Sequence, residues 1–422
     1  MGGMRSKLAN VYKKYGFFGF FKKLWAYGKA NYIDRLSPSV SLRKGKYTRM
    51  IEKILEDEEY DRVILWRSIV GYDMPLFQRP QHIANNLTKQ GCLVFYEVTT
   101  MTDREKKLKR RSDRLYLFNY TNAPLNKILM KCLEKTDKPK YLQLYSTDWK
   151  LSVDDVKAYE NAGFGFIYEY IDHISADIAG TKELPKNIAD KYDYAMKDRD
   201  AFIVATADLL YEDVVSKRGT DRLAFSSNGV DYSFFKTFED GVKPDKEFLD
   251  IVEKGKPVVM YYGALATWFD YDLLKSIAST GKYSAVLIGV KYDGSFDESG
   301  AKDLDDVYFL GSRNYKVLKY YAALADVLTI PFKINDVTRS TNPVKLFEYM
   351  ALQKPIVTTN MNECRKYKSV LIGDAGEFER KLDKALSLRD DADYLGLLDR
   401  EARENDWSHK AEAIVSLLKK YE

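Results

Sequence analysis

From residue 47 onward the chain alternates short apolar runs with stretches of helical periodicity, and few folds accommodate that alternation. Strands separated by helices pair in parallel, with helices covering both faces of the sheet. A helix stripe at Met50, Ile51, Ile54 and Leu55 leads to a strand at Val63–Trp66, a helix at Arg79–Gln90 and a strand at Leu93–Val98. Strands at Leu115–Asn119, Tyr141–Tyr145 and Phe164–Tyr170 follow, with helices over 124–135 and 153–161. Strand Ala201–Ala205, helix 207–218 and strand 222–226 close this first series. Asn228-Gly229 is a turn signal, and 236–256 is charged and poorly periodic, so the linker is placed there. A second series has strands at Pro257–Tyr262, Ala285–Val290, Val307–Leu310, Val327–Ile330, Ile356–Thr358 and Val370–Ile372, with helices over 271–280, 315–324 and 376–388. A last helix spans Trp407–Tyr421. A chain of 422 residues suits two such α/β domains, expected over 47–235 and 236–405, with residues 406–422 returning to the first.

The 45% hydrophobic and 31% charged content is that of a folded, soluble protein, with no apolar run long enough to span a bilayer and no secretory signal. Cys92, Cys132 and Cys364 form no CxxC and pair with no histidine at metal-ligand spacing, which fits a reduced cytoplasmic compartment without structural zinc. Residues 1–33 carry seven lysines and arginines and no acid, leaving −2 of the +5 total for the rest of the chain. A body of that charge has no footprint for nucleic acid. Within the basic end, Leu8, Val11, Tyr12, Tyr15, Phe18, Phe21, Leu24 and Trp25 recur at helical spacing, interrupted by Gly16 and Gly19. Residues 1–46 therefore read as a basic aromatic segment that either meets an anionic membrane surface through residues 5–29 or packs on the protein itself.

Residues 339–358 carry the densest chemistry. Thr341 or Asn342 can cap a helix, Pro343 suits its first turn, and Lys354-Pro355 ends it before Ile356–Thr358. Free N–H groups at such a start attract phosphate, and Arg339 and Lys345 add positive charge. Lys345 and Glu348, three apart, share a face: a cation for phosphate beside a carboxylate able to accept hydroxyl hydrogen bonds. An ordinary capped helix with an ion pair explains the same residues. Other polar clusters also fall after strands, where doubly wound sheets bind ligands: Gly71 to His82, Glu169 to Asp177, and Gly263 to Asp270.

Taken together, Arg79-Pro80-Gln81-His82, Asn228-Gly229-Val230-Asp231, Tyr262-Gly263-Ala264 with Trp268-Phe269-Asp270, and Pro343-Val344-Lys345-Leu346-Phe347-Glu348-Tyr349 resemble the GT-B glycosyltransferases. Within that fold they are similar to bacterial family-4 enzymes of the teichuronic-acid and surface-polysaccharide type. The resemblance covers about residues 60–422 and implies two Rossmann-like domains facing across a cleft. It implies that Glu348 holds ribose hydroxyls and that Lys345 and Arg339, beside Ser340 and Thr341, hold the diphosphate. Gly263, Gly289 and Gly311 would lie near the nucleotide, and Gly71, Arg79, His82 and Asp270 would line the acceptor side. Many retaining members carry a glutamate eight positions before the second; here Ser340 stands at that place.

Asp172 and His173 end the strand Phe164–Tyr170 and are the catalytic candidates, a loop cap and a surface histidine being the plain alternative. The resemblance favours His173 beside the transferred sugar in a retaining reaction; Asp172 or Glu169 would serve as base in an inverting one. Asp198/Asp200, Asp270/Asp272 and Asp391/Asp393 form Asp-x-Asp pairs at apparent helix ends, where capping explains them, so no obligatory metal or cofactor is expected. The expected activity is transfer of a sugar from a UDP-, GDP- or dTDP-sugar to a lipid-linked or growing glycan, at the inner face of the plasma membrane. A catalytically degenerate scaffold or glycan-binding module is the alternative, supported by Ser340.

Overall fold

The computed structural model describes residues 37–74, 77–98, 103, 105–175, 183–374 and 376–422; the basic segment expected over 5–29 lies outside them. Two compact units emerge, one from the described residues up to Met74 with Gly91–Lys140, the other from Pro75–Gln90 with Tyr141–Glu422. The linker expected over 236–256 falls inside the second unit and contains a helix, Lys246–Val252. Asp245 caps that helix by accepting the Phe248 N–H at 3.1 Å, and it also pairs with Arg313 at 2.7 Å.

In the first unit, strands β1 (Arg62–Arg67), β2 (Cys92–Glu97), β3 (Leu108–Ser112) and β4 (Leu115–Phe118) lie in the order β3-β4-β2-β1. β2 and β4 are buried at every position, as a sheet covered on both faces requires. Helices Lys44–Asp57 and Ala123–Leu133 pack together, the second capped by Asn122, which accepts the Leu125 N–H at 3.1 Å. β3 lies outside the expected elements. Leu-Lys-Arg-Arg-Ser has no apolar alternation and its last four side chains are exposed. Antiparallel main-chain pairing with β4 alone makes it a strand, and its charge protects an edge.

In the second unit, β5 (Lys140–Tyr145), β6 (Gly165–Tyr170), β7 (Phe202–Ala205) and β8 (Leu223–Phe225) lie side by side in chain order, all parallel. A six-stranded parallel sheet follows: β9 (Val258–Tyr262), β10 (Ser284–Ile288), β11 (Val307–Phe309), β12 (Val327–Ile330), β13 (Ile356–Thr358) and β14 (Val370–Ile372). Its order is β11-β10-β9-β12-β13-β14. The chain therefore steps outward from β9 to β11, then returns to the other side of β9. Loops leaving β9 and β12 diverge at that reversal, opening a crevice at the carboxyl ends of the strands. Beneath it Met260, Leu328, Ile330, Leu346, Phe347 and Met350 are fully buried.

The closing helix, Trp407–Lys419, packs on helix Arg79–Lys89 and on β8. Its entry is fixed by Val230, whose N–H donates to Asn405 O at 2.9 Å and whose carbonyl accepts the Trp407 N–H at 3.0 Å. A Cβ on Gly229 would stand 2.4 Å from that Asn405 carbonyl, so the Asn-Gly pair is a close crossing of two chains as well as a turn.

Candidate active site

After β12 the chain turns through Pro331 and Phe332 into a one-turn helix, Asp336–Arg339, capped by Asn335, and then into helix Val344–Ala351. Leu346, Phe347, Tyr349, Met350 and Ala351 are buried on the sheet side, and Gln353 ends the helix in a left-handed conformation at φ 53°. The expected cap by Thr341 or Asn342 is not made. Pro343 occupies the N-cap position and supplies no side-chain acceptor to the first N–H groups. The Thr341 hydroxyl donates back to Val337 O at 2.9 Å. Asn342 is drawn away by a second set of partners: its Oδ1 accepts the Asn228 N–H at 3.1 Å and its amide donates to Glu363 at 2.7 Å. Asn228 in turn donates its side-chain amide to Asn342 O at 2.6 Å, tying the Asn-Gly-Val-Asp segment to the entry of this helix.

Lys345 and Glu348 share a face, as their spacing requires, and no ion pair joins them among the described residues. The Lys345 ammonium lies over the Tyr261 and Phe332 rings, 5.4 and 5.3 Å from their centroids, and no hydrogen bond or ion pair is formed by it among the described residues. Burial pulls its pKa down to about 8, against the pull of Glu348 in the other direction. Glu348 is buried, and burial raises its pKa although the Tyr262 hydroxyl donates to its carboxylate at 2.7 Å. Tyr262 is braced in turn by Tyr349, edge-on at 5.0 Å. The buried Tyr315 hydroxyl acts on the same carboxylate in the same sense as Tyr262, although the two do not meet normal hydrogen-bond geometry. Tyr262 is the member of this cluster that the sequence conceals: a tyrosine ending an apolar strand reads as core.

Three glycines close the ends of β9, β10 and β11. Gly263 donates its N–H to Ile288 O at 2.8 Å, and Gly289 donates to Gly311 O at 2.9 Å. Gly263 and Gly289 have φ 150° and 153°. A Cβ on Gly289 would stand 1.8 Å from the Gly263 carbonyl oxygen, and one on Gly263 would stand 2.9 Å from Cε of Lys345. The Lys345 side chain thus runs directly over a bare stretch of backbone, where a ligand can approach the main chain.

The remaining expected residues are placed differently. Arg339 is exposed and pairs with Asp336 at 3.5 Å, and the Ser340 hydroxyl donates to the Asp336 and Val337 carbonyls, both at 3.2 Å. Asp270 caps helix Tyr271–Ser279, accepting the Leu273 N–H at 3.0 Å. Arg79 is buried with its guanidinium fully engaged: 2.7 Å to Glu169, 2.9 Å to Ser227 O and 3.2 Å to the Ser226 hydroxyl. Glu169, which also accepts from the Gln143 amide, is therefore structural rather than a free base. His82 is neither exposed nor aimed at open space; it stacks on Trp407 at 5.0 Å and meets Phe77 edge-on at 4.8 Å, and burial pulls its pKa down to about 3. Gly71 is buried after β1, in the first unit. Asp172 and His173 follow β6, His173 exposed; neither makes a hydrogen bond or ion pair among the described residues, and burial of the Asp172 carboxyl raises its pKa to about 7. Asp198 accepts the Asp200 N–H at 3.0 Å and Asp391 caps helix Ala392–Glu404.

This architecture, with parallel sheets, a switch point and a helix leaving β12 into the crevice, is the GT-B fold. It aligns with sucrose-phosphate synthase from Thermosynechococcus elongatus over 86% of this chain and 99% of that one, at TM-score 0.59 and 12% identity. Anabaena Alr3699/HepE in complex with UDP and glucose aligns over 86% and 100%, at TM-score 0.58 and 14% identity. Within the fold, residues 256–389, which carry β9 to β14 and the Lys345/Glu348 helix, match the family model Glycosyl transferases group 1. In sequence the chain is 25% identical over 260 residues to the putative teichuronic acid biosynthesis glycosyltransferase TuaH of Bacillus subtilis (strain 168), covering 57% of this chain and 64% of that protein's length. Among the described residues no helix is long and apolar enough to cross a membrane.

Proposed function

We propose that the protein transfers a sugar from a nucleotide-sugar donor to a glycan or lipid-linked glycan in cell-surface polysaccharide synthesis, working at the cytoplasmic face of the membrane. One observation carries the donor assignment: Lys345 holds an ammonium, unpaired among the described residues, over the bare backbone of Gly263, one helical turn from the Glu348 carboxylate. An unpaired, partly desolvated cation is strongly attracted to a diphosphate, and Glu348, held in place by Tyr262, accepts ribose hydroxyls. UDP or UDP-sugars in the HepE structures and UDP-2-fluoro glucose in the Escherichia coli trehalose-6-phosphate structure support a nucleotide-sugar donor, and the TuaH likeness supports a polysaccharide product.

For the acceptor step, the Asp172 carboxyl, which has no partner among the described residues and a pKa raised to about 7 by burial, suits uptake of the acceptor hydroxyl proton as the new glycosidic bond forms. That role favours inversion at the anomeric carbon. The alternative course, retention with His173 beside the sugar, rests on the family resemblance, and the anomeric configuration of the product distinguishes the two. Thermal-shift titration with UDP, GDP and dTDP tests the donor site. At least one nucleotide is expected to stabilise the protein, and Glu348→Ala to weaken that nucleotide about tenfold. Failure of all three, or unchanged binding by Glu348→Ala, would sink the donor assignment.

A further inference from the structure

Charge is segregated along helix Lys44–Asp57 of the first unit. Its far end carries Glu52, Glu56, Asp57 and Glu58, and the cations there are paired: Lys53 with Asp57, Lys135 with Glu52, and Arg110 with Glu58 at 3.1 Å. Its near end is different. Arg43, Lys44 and Lys46 are exposed and form no ion pair among the described residues. Lys107, arriving just ahead of β3, places its ammonium 5.3 Å from the ring centroid of Tyr47 in the same helix, and exposed Lys106 adjoins it. Glu105 lies beside them, its carboxylate accepting the Lys106 and Lys107 main-chain N–H groups at 2.9 and 3.0 Å, so five cations that form no ion pair among the described residues, against one acid, gather around the start of one helix. Leu42, next to Arg43, is 86% exposed, the most exposed large apolar side chain among the described residues.

We propose that this surface docks the first unit on a bilayer containing anionic phospholipid. Clustered unpaired cations are drawn to an anionic leaflet and release its counterions, and each residue near the surface adds to the attraction. The adjacent exposed leucine suits an interface with an apolar layer beneath the charge rather than a wholly polar polyanion. The sequence leading into this surface points the same way, since residues 1–33 carry +7 with recurrent aromatics. The assignment is independent of the donor site.

Cosedimentation of the full chain with vesicles is the test, comparing pure phosphatidylcholine with phosphatidylcholine mixed with phosphatidylglycerol. The parent is expected to bind the mixed vesicles alone, less tightly as salt rises. The variant R43Q/K44Q/K46Q/K107Q is expected to lose roughly tenfold or more of that affinity. K246Q/K316Q/K384Q/K420Q, which removes the same charge elsewhere, should bind like the parent, as should K44R/K46R/K107R. The solvent-exposed pair K44Q/K46Q gives a smaller loss in a protein whose core is untouched. Equal binding to neutral vesicles overturns the proposal, as does unchanged affinity in the quadruple variant, which would assign the attraction to residues 1–36. Binding to polyphosphate without binding to vesicles overturns it as well.

Discussion

Helix Arg79–Lys89 and helix Val344–Ala351 begin alike: each has a proline at or beside its start and a cation in its opening turn. Their cations have opposite fates. The planar fork of Arg79 meets three fixed acceptors and knits Glu169 on β6 to the Ser226–Ser227 segment after β8, so its charge is satisfied within the fold. Lys345 is a point charge resting on two aromatic rings, with no ion pair among the described residues. A basic residue at a helix start is therefore no evidence of a ligand contact until its partners are counted. Where they are missing in a desolvated place, the unmet charge is the functional signal.

The largest expected effect is on the structural side of this comparison. Arg79→Ala leaves Glu169 buried without its counter-ion and should destabilise the protein by about 3–5 kcal/mol, measured by chemical unfolding, while nucleotide affinity of the folded protein stays near that of the parent. Lys345→Met should do the reverse: melting temperature held or raised, and nucleotide diphosphate affinity down about a hundredfold, close to 2.7 kcal/mol. Because the free Lys345 ammonium titrates near 8, parent affinity should decline as pH rises through that value, and Lys345→Arg should abolish the decline. If Lys345→Met instead unfolds the protein, the contrast between the two helices is lost.

The smallest effect concerns His82. Its folded pKa of about 3 lies below that of an unfolded histidine, so the unfolded state binds more protons between the two values. Stability is therefore lost as pH falls from about 6.5 toward 3, amounting to about 2 kcal/mol at pH 5. His82→Phe should flatten that part of the melting-temperature profile; an unchanged profile would mean that the ring is solvated.

Much of this fold is legible in the sequence where apolar runs are punctuated. β12, β13 and β14 occupy the residues their patterns indicate, bounded by Pro331, Pro355 and Gly373. β3 is not legible, because its partner supplies its hydrogen bonds and its side chains give no periodic signal. Helix Lys186–Lys197 is hidden for a related reason: Lys191 reads as solvent-facing yet is fully buried, 3.6 Å from Asp148. In the candidate site, Lys345 and Glu348 announce themselves by spacing, but the roles of Tyr262 and Arg79 depend on partners 86 and 90 residues away, a separation no local pattern encodes.

The contact between Gly289 and the Gly263 carbonyl has a consequence for diversity among proteins of this architecture. With less than a methyl group's clearance between the two strand ends, this wall cannot be widened or reshaped by substitution. On the proposed donor assignment it offers any nucleotide sugar the same rigid floor. Discrimination among sugars then falls, on the same assignment, to the exposed positions of the loops that rise from it, such as Thr267, Lys333 and Ile334, where side chains can change without disturbing the core.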